Sequence, residues 1–133
     1  MIDEQIRAYL LTKTEVTNVV GLTGVYAVRA RQEQEPPYIV VEQTSGNAEQ
    51  HAMGLSGVEQ ANVDIRCHHR TDALASQLAA IVKPLVAGVQ LAMGTAYVRS
   101  AVLFNQSRSS SDPRFGDQAG FPAVTLSLEV FYK

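Results

Sequence analysis

The sequence predicts an α+β fold in which about two helices pack on an antiparallel or mixed sheet of about five strands. The main observation is residues 58–88, where apolar and polar side chains alternate as in a half-buried strand and then take helical spacing. Further strand-like segments precede and follow this pair, and an amphipathic segment opens the chain. At 133 residues the chain can bury one core, so we expect 1–133 to form a single domain.

The N-terminal third predicts a helix followed by a short strand. Residues 2–12 place apolar side chains on one side, and residues 14–20 could continue this helix, although their β-branched side chains disfavour it. Gly21 and Gly24 predict a turn before a strand at 25–30.

The middle of the chain predicts two strands and the main helix. After the polar connection 31–37, the segment 38–45 is apolar on both faces, which predicts a strand covered on two sides. The glycine-rich residues 46–57 predict a long loop. In 58–88, Thr71 is the expected N-cap, Gly88 the expected left-handed residue after the helix, and Pro84 predicts a kink or an early end. The expected apolar stripe of this helix consists of Leu74, Leu78, Ile81, Val82, Leu85 and Val86.

The C-terminal part predicts two long strands separated by a loop. Residues 89–94 predict a short connection, 95–106 a strand, 107–121 a second long loop, and 122–132 the last strand. In 95–106 strict alternation would place Val98, Val102 and Phe104 on one face and Tyr97, Ala101 and Leu103 on the other. In the last strand Val124, Leu126, Leu128 and Val130 are expected to face the core.

Composition and charge exclude several classes of function. A net charge of −2 with scattered charges argues against non-specific binding to nucleic acid, which requires clustered cations. The single cysteine fits a reducing compartment, the apolar runs are too short for a membrane span, and the acidic N-terminus does not fit a secretory signal. We therefore expect a soluble protein that is made in a cytoplasm and either stays there or is assembled there into a larger structure.

The sequence supplies no convincing catalytic, cofactor or metal site. Cys67, His68 and His69 form the most suggestive cluster, with His51 as an imaginable further zinc ligand, but no established ligand spacing is present. Cys67 also continues the apolar face of its strand, as a small core residue would. The carboxylate pairs Asp3/Glu4, Glu33/Glu35 and Asp112/Asp117 fall in a helix start and in loops. We expect no enzyme, no cofactor and no metal.

Apolar side chains on both faces of 95–106, with Phe131 on the polar face of the last strand, exceed what two helices can cover. They indicate a subunit of an oligomer.

Several segments of the sequence resemble those of the tail-completion, or tail-terminator, proteins of long-tailed bacteriophages and prophages. They are LTGVYAVRA at 22–30, PPYIVV at 36–41, Ser45-Gly46, the strand and helix at 55–85, and the loop at 107–121 before a final hydrophobic strand. The resemblance implies a non-catalytic protein of the virion tail that forms a ring, typically sixfold, at the head-proximal end of the tail tube. Its implied partners are further copies of itself, the tail-tube protein and a head-connector or stopper protein, with no sequence-specific nucleic acid and no membrane.

Two loops, 46–57 and 107–121, are the expected contacts with tube and connector. Two alternatives remain open at this point. One is a small regulatory or ligand-binding module with a cleft between helix and sheet, and the other is an enzyme centred on Cys67.

Overall fold

The structure is a computed structural model that describes residues 2–21, 24–27, 37–46, 59–93, 96–109 and 122–132. Three helices lie within these ranges: α1 (Ile2–Leu11), α2 (Thr14–Val20) and α3 (Asp72–Val86). The same ranges contain six strands: β1 (Val25–Ala27), β2 (Tyr38–Gly46), β3 (Glu59–His68), β4 (Leu91–Met93), β5 (Ala96–Ser109) and β6 (Ala123–Tyr132). The predicted α+β class is confirmed.

The strands form one mixed sheet in the order β1-β2-β3-β6-β5-β4. Only the β1–β2 pair is parallel; the other four neighbouring pairs are antiparallel. The long strands β2, β3, β6 and β5 occupy the centre, and a three-residue strand lies at each edge. Helix α1 contacts β1 and β2 near one edge and β4 at the other, so the sheet curves around this helix.

The N-terminal segment forms two helices rather than one. The amide groups of Thr12 and Lys13 bond to Tyr9 and Leu10 at 3.0 and 3.1 Å, which tightens the last turn of α1. Lys13 is extended (φ −98°, ψ 119°), so α2 starts afresh after it. The turn predicted at Gly21 and Gly24 is confirmed, since Gly21 has φ 79° and a Cβ on Gly24 would lie 2.0 Å from the carbonyl oxygen of Val20.

The predicted connection at 89–94 is wrong, because Leu91–Met93 pairs with the start of β5 as an edge strand. Three residues are too few to show a period, so pairing with β5 decides this element. The predicted loops also start later than expected. Gly46 still belongs to β2 and residues 107–109 to β5, while 47–57 and 110–121 lie outside the described residues.

The predicted faces of the fifth strand are wrong beyond its start. The register of β5 against β6 shifts twice, between Val98 and Ser100 and between Leu103 and Asn105, and at each β-bulge β5 contains an extra residue. Val98 and Ala101 are therefore both buried, whereas Val102 is 49% exposed. Strict alternation fails here because each inserted residue moves the side chains that follow it to the other face.

Helix α3 is capped and terminated by the expected residues. The Thr71 side-chain oxygen accepts the amide proton of Leu74 at 3.2 Å, and Gly88 takes the left-handed conformation with φ 70°. Of the kink or early end predicted at Pro84, the early end does not occur, because α3 continues to Val86, and the kink stays a prediction. The carbonyl that would bond to the amide of residue 84 belongs to Ala80, an exposed position where water can replace that bond.

The core lies between the helices and one face of the sheet. From α3 it takes Leu78, Val82 and Val86, while Leu74 at the first turn is 36% exposed and leaves the predicted stripe. From the last strand it takes Val124, Leu126, Leu128 and Val130, as expected. From β3 it takes Ala61, Val63, Ile65 and Cys67. Strand β2 is buried on both faces, as predicted, through Tyr38, Ile39, Val40 and Val41.

Two long side chains of α1 attach this helix to the rest of the molecule. The Arg7 Nε–H donates to the carbonyl of Val25 at 2.8 Å, on edge strand β1. The Tyr9 hydroxyl donates to the carbonyl of Leu85 at 2.9 Å. That carbonyl lies in the last turn of α3, where carbonyl groups have no hydrogen-bond partner within their own helix.

Candidate functional site

Cys67 is a core residue. Its side chain is fully buried on the helix-facing side of β3, and burial raises the pKa of its thiol to about 12. A nucleophilic cysteine requires a thiolate, which this environment disfavours. The interpretation of Cys67 as a small hydrophobic residue is confirmed, and the hypothesis of thiol chemistry gains no support.

The two adjacent histidines have different surroundings. His68 follows the polar side of β3 in sequence but is 1% exposed, and its ring stacks on Tyr38 at 4.5 Å between centroids. His69 accepts the amide proton of Arg70 at its Nδ1 (2.8 Å), and burial together with the Arg70 charge lowers its pKa. His51 lies outside the described residues, and within them no three His, Cys, Asp or Glu side chains come together as a metal site would require. The expectation of no metal stays a prediction.

The carboxylates do not form a general acid–base pair in the part of the chain that the structure describes. Asp3 is 4% exposed and accepts the Glu4 amide proton at 2.8 Å, as suits a carboxylate in the first turn of α1. The pairs Glu33/Glu35 and Asp112/Asp117 lie outside the described residues.

The face of the sheet opposite the helices is largely polar in its centre. Gln60 donates to Glu129 at 2.7 Å across β3 and β6, and Arg66 pairs with Glu42 at 2.9 Å across β3 and β2. These partially exposed cross-strand contacts order the face without concentrating charge of one sign. The alternation of β3 in sequence is the signal that predicts this polar face.

Strand β5 carries most of the exposed large apolar side chains in the described residues. Tyr97, Val102 and Phe104 are 45%, 49% and 59% exposed, and we call these three residues the β5 apolar patch. Phe131 of β6 is only half-buried and pairs with Ser100 of β5 next to the patch. Such a concentration on one strand is typical of a surface covered by another molecule. The sequence predicted surplus apolar side chains on this strand, but the bulge decides which of them are exposed.

The two long connections between strands leave the sheet at opposite ends. The chain leaves β2 at Gly46 and re-enters β3 at Glu59, which pairs with Tyr132 at the end of β6. It leaves β5 at Ser109, which pairs with Ala123 at the start of β6. Since Tyr132 and Ala123 are the two termini of one strand, the connections depart about 30 Å apart, at the ~3.4 Å rise per residue of antiparallel strands.

A small surface pocket lies near the second of these ends. It is lined by Gln106, Ser107, Arg108 and Val124, and the Arg108 guanidinium donates to the Ser76 hydroxyl of α3 at 3.3 Å. The lining comes from two neighbouring strands and contains no carboxylate or thiol. The alternative of a ligand-binding module with a helix–sheet cleft stays a prediction without support from this pocket.

Among the described residues, no helix has the length and apolar character needed to cross a membrane.

Comparisons with known proteins agree with the architecture. Residues 4–119 match the family model described as "Tail completion protein gp17". No individual curated protein sequence matches the chain. A chain in the solved structure titled "Virion of native gene transfer agent (GTA) particle" is similar in fold, with a TM-score of 0.58 at 15% identity. The similarity covers 97% of this chain and 89% of the other.

Proposed function

Because the chain belongs to the tail completion protein gp17 family, we propose that it is a tail terminator, a subunit that caps the tail tube of a phage-like particle as a homo-oligomeric ring. Six copies are the expected number, from the resemblance to ring-forming tail proteins. The other face of the ring would meet a head-connector or stopper protein. Its site of action is the virion tail, after assembly in the cytoplasm of a bacterial host.

The β5 apolar patch is the observation that supports a ring. Helices cover one face of the sheet, while Tyr97, Val102 and Phe104 remain exposed on the long strand near the sheet edge. Contact with a neighbouring copy would remove these side chains from water, which favours association. A ring contact joins two different surfaces of identical subunits, and the number of subunits is fixed by the angle at which they close.

The opposite departures of the two connections support contacts with two different partners. If the strands run along the ring axis, the segment after Gly46 faces one side of the ring and the segment after Ser109 faces the other. One side would meet the tube and the other the connector. This arrangement suits an adaptor that joins two structures.

The proposal includes no catalysis and no cofactor. The family is one of structural tail proteins. The fully buried Cys67 offers no reactive group, and the proposed role requires only surfaces. We propose further that residues 1–133 act as one domain and that binding involves neither a membrane nor a particular nucleic-acid sequence.

Electron microscopy of purified tail tubes mixed with the protein tests the proposal. We expect extra density at one end of each tube, with six subunits in averaged end views and no further growth of capped tubes when tube protein is added. Binding along the tube sides, or continued growth at the same rate from both ends, would contradict a terminator. The free protein is a poor substitute in this assay, since a ring can require the tube as a template.

A further inference from the structure

In the part of the chain that the structure describes, strand β5 has an outer edge that is unpaired over much of its length. On its inner side it pairs with β6 from Val98 to Ser109. On its outer side β4 reaches only Ala96–Val98, and the Gly88 amide bonds to the carbonyl of Ala101 at 2.7 Å. Among the described residues, none pairs with this outer edge from Val102 onward. Alternate backbone groups there can bond to a further strand.

The unpaired edge contains one β-bulge, between Leu103 and Asn105, and lacks most of the other usual devices that prevent strand addition. The segment reads VLFNQSRS over 102–109, with no proline or glycine and one charged residue, Arg108. All side chains from Phe104 to Arg108 are exposed. As far as the described residues go, this edge is therefore accessible to another chain.

At the opposite edge of the same sheet, strand β1 lies at the same height along the strand direction as the unpaired part of β5. The pairings connect Tyr26 of β1 to Val40, then to Arg66, Thr125 and finally Ser107 of β5. By the same register Val25 lies level with Arg108, and Ala27 lies level with Gln106. The short strand β1 thus stands opposite the open part of β5, and β4 covers β5 only at the other end.

The directions of the two edge strands are also compatible. Strand β1 runs parallel to β2, and the three antiparallel pairings from β2 to β5 reverse the direction three times. Therefore β5 runs opposite to β1. A second copy placed beside the first in the same orientation would bring its β1 to β5 as an antiparallel neighbour.

The outer side of β1 retains groups that can pair. The Gly24 carbonyl bonds to the Ile39 amide at 2.8 Å, so the backbone groups of Val25 and Ala27 point away from β2. Arg7 occupies the Val25 carbonyl. The amide groups of Val25 and Ala27 and the Ala27 carbonyl can therefore face a neighbouring strand.

We propose that the outer edge of β5 at residues 106–108 binds β1 of a second copy of this chain, antiparallel, with Ser107 opposite Tyr26. The inference rests on the proposed ring and specifies its subunit contact. The pairing joins two different edges, as a closed ring requires. It continues the sheet from one subunit to the next, and Val102 and Phe104 lie on the same strand next to the paired residues.

Disulfide trapping tests this pairing, because directly opposed residues of antiparallel strands have Cβ atoms close enough for a disulfide. In a Cys67→Ala background, Ser107→Cys and Tyr26→Cys variants are mixed on tail tubes and oxidised. We expect a crosslinked dimer in the mixture and in neither variant alone, and crosslinked species up to the full ring from the double variant. Ser100→Cys replaces Ser107→Cys as the matched control, because it lies on the same strand at the opposite end, and should give no crosslink with Tyr26→Cys.

Three results would overturn the inference, and they are distinguishable. Capped tubes without any crosslink would remove the edge pairing and leave the terminator function intact. A dimer from Ser107→Cys alone would show that two β5 edges pair about a twofold axis. Tubes that remain uncapped by the protein before any substitution would remove both the proposed function and this contact.

Discussion

Replacing Phe104 with aspartate should strongly weaken assembly while leaving the folded subunit intact. The Phe104 side chain is 59% exposed in the isolated chain, so the fold gains little from it. Exposed substitutions usually change the free energy of unfolding by no more than about 0.5 kcal/mol. We expect the variant to unfold in urea at nearly the same midpoint as the unsubstituted protein.

The expected loss at the subunit contact is much larger. A phenylalanine buries about 150–250 Å² when fully covered, so covering the exposed 59% removes about 90–150 Å² from water. At about 25 cal/mol per Å² this contributes about 2–4 kcal/mol to each contact. A loss of that size weakens association about 30- to 800-fold, and a carboxylate buried without a partner weakens it further.

The assay is a titration of tail tubes with each variant, scored as the fraction of capped ends. Gln77→Asp on the exposed side of α3 is the matched control, because it introduces the same charge at an exposed position outside the β5 apolar patch. We expect the control to cap tubes at the same concentration as the unsubstituted protein, and Phe104→Asp to require at least about 30-fold more protein, the lower end of the range above. Equal capping by both variants would refute the assignment of the patch to the contact.

Three further predictions concern the fold itself. Tyr9→Phe removes the hydrogen bond to the Leu85 carbonyl and should lower the free energy of unfolding in urea by about 1 kcal/mol. Tyr97→Phe, at a 45% exposed position, should lower it far less, and equal losses would contradict a role for this bond. Thr71→Ala removes the N-cap of α3 and should cost about 1 kcal/mol, with Thr71→Ser retaining most of it; a neutral Thr71→Ala change would show that the cap does not stabilise α3. Burial raises the pKa of the Cys67 thiol from 9.0 to about 12, so its contribution to stability is complete below pH 9 and falls as the pH rises toward 12, because only the unfolded chain ionises in that window. A thiol reagent should label Cys67 slowly in buffer and fast in urea. Fast labelling of the native protein would contradict burial.

The sequence was most informative where its periods were long and regular. The alternation in β3 and the helical spacing after Thr71 predicted both elements and the C-terminal glycine, because each pattern extends over several repeats. The last strand was equally clear, with its four core residues buried as expected. In each case one face is buried by the fold, and burial imposes the period on the sequence.

The failures have equally physical causes. Strand β5 contains one additional residue between Val98 and Ser100 and another between Leu103 and Asn105, and no glycine or proline marks either position, so alternation assigned its exposed and buried faces wrongly. Strand β4 is too short to show a period, and its pairing with β5 is non-local. His68 follows the polar positions of β3 in sequence, yet stacking on Tyr38 buries it, a contact between distant residues that alternation does not predict.

The candidate surface was predictable only in outline. Surplus apolar side chains in 95–106 indicated a covered surface, and the family resemblance indicated that further copies of the chain cover it. The open edge of β5 could not be inferred, because it depends on where β4 stops along its partner.

The departure of the two connections from opposite ends of β6 has a consequence for how such tails diversify. Under the proposed function, the residues that recognise the tube and those that recognise the head are connected through the paired strands β3, β6 and β5. A lineage could then exchange one of the two connecting segments and acquire a new partner on that side while its binding to the other partner stays unchanged. Recombination between unrelated particles would succeed most often when its breakpoints fall within the central strands, which separate the two specificities.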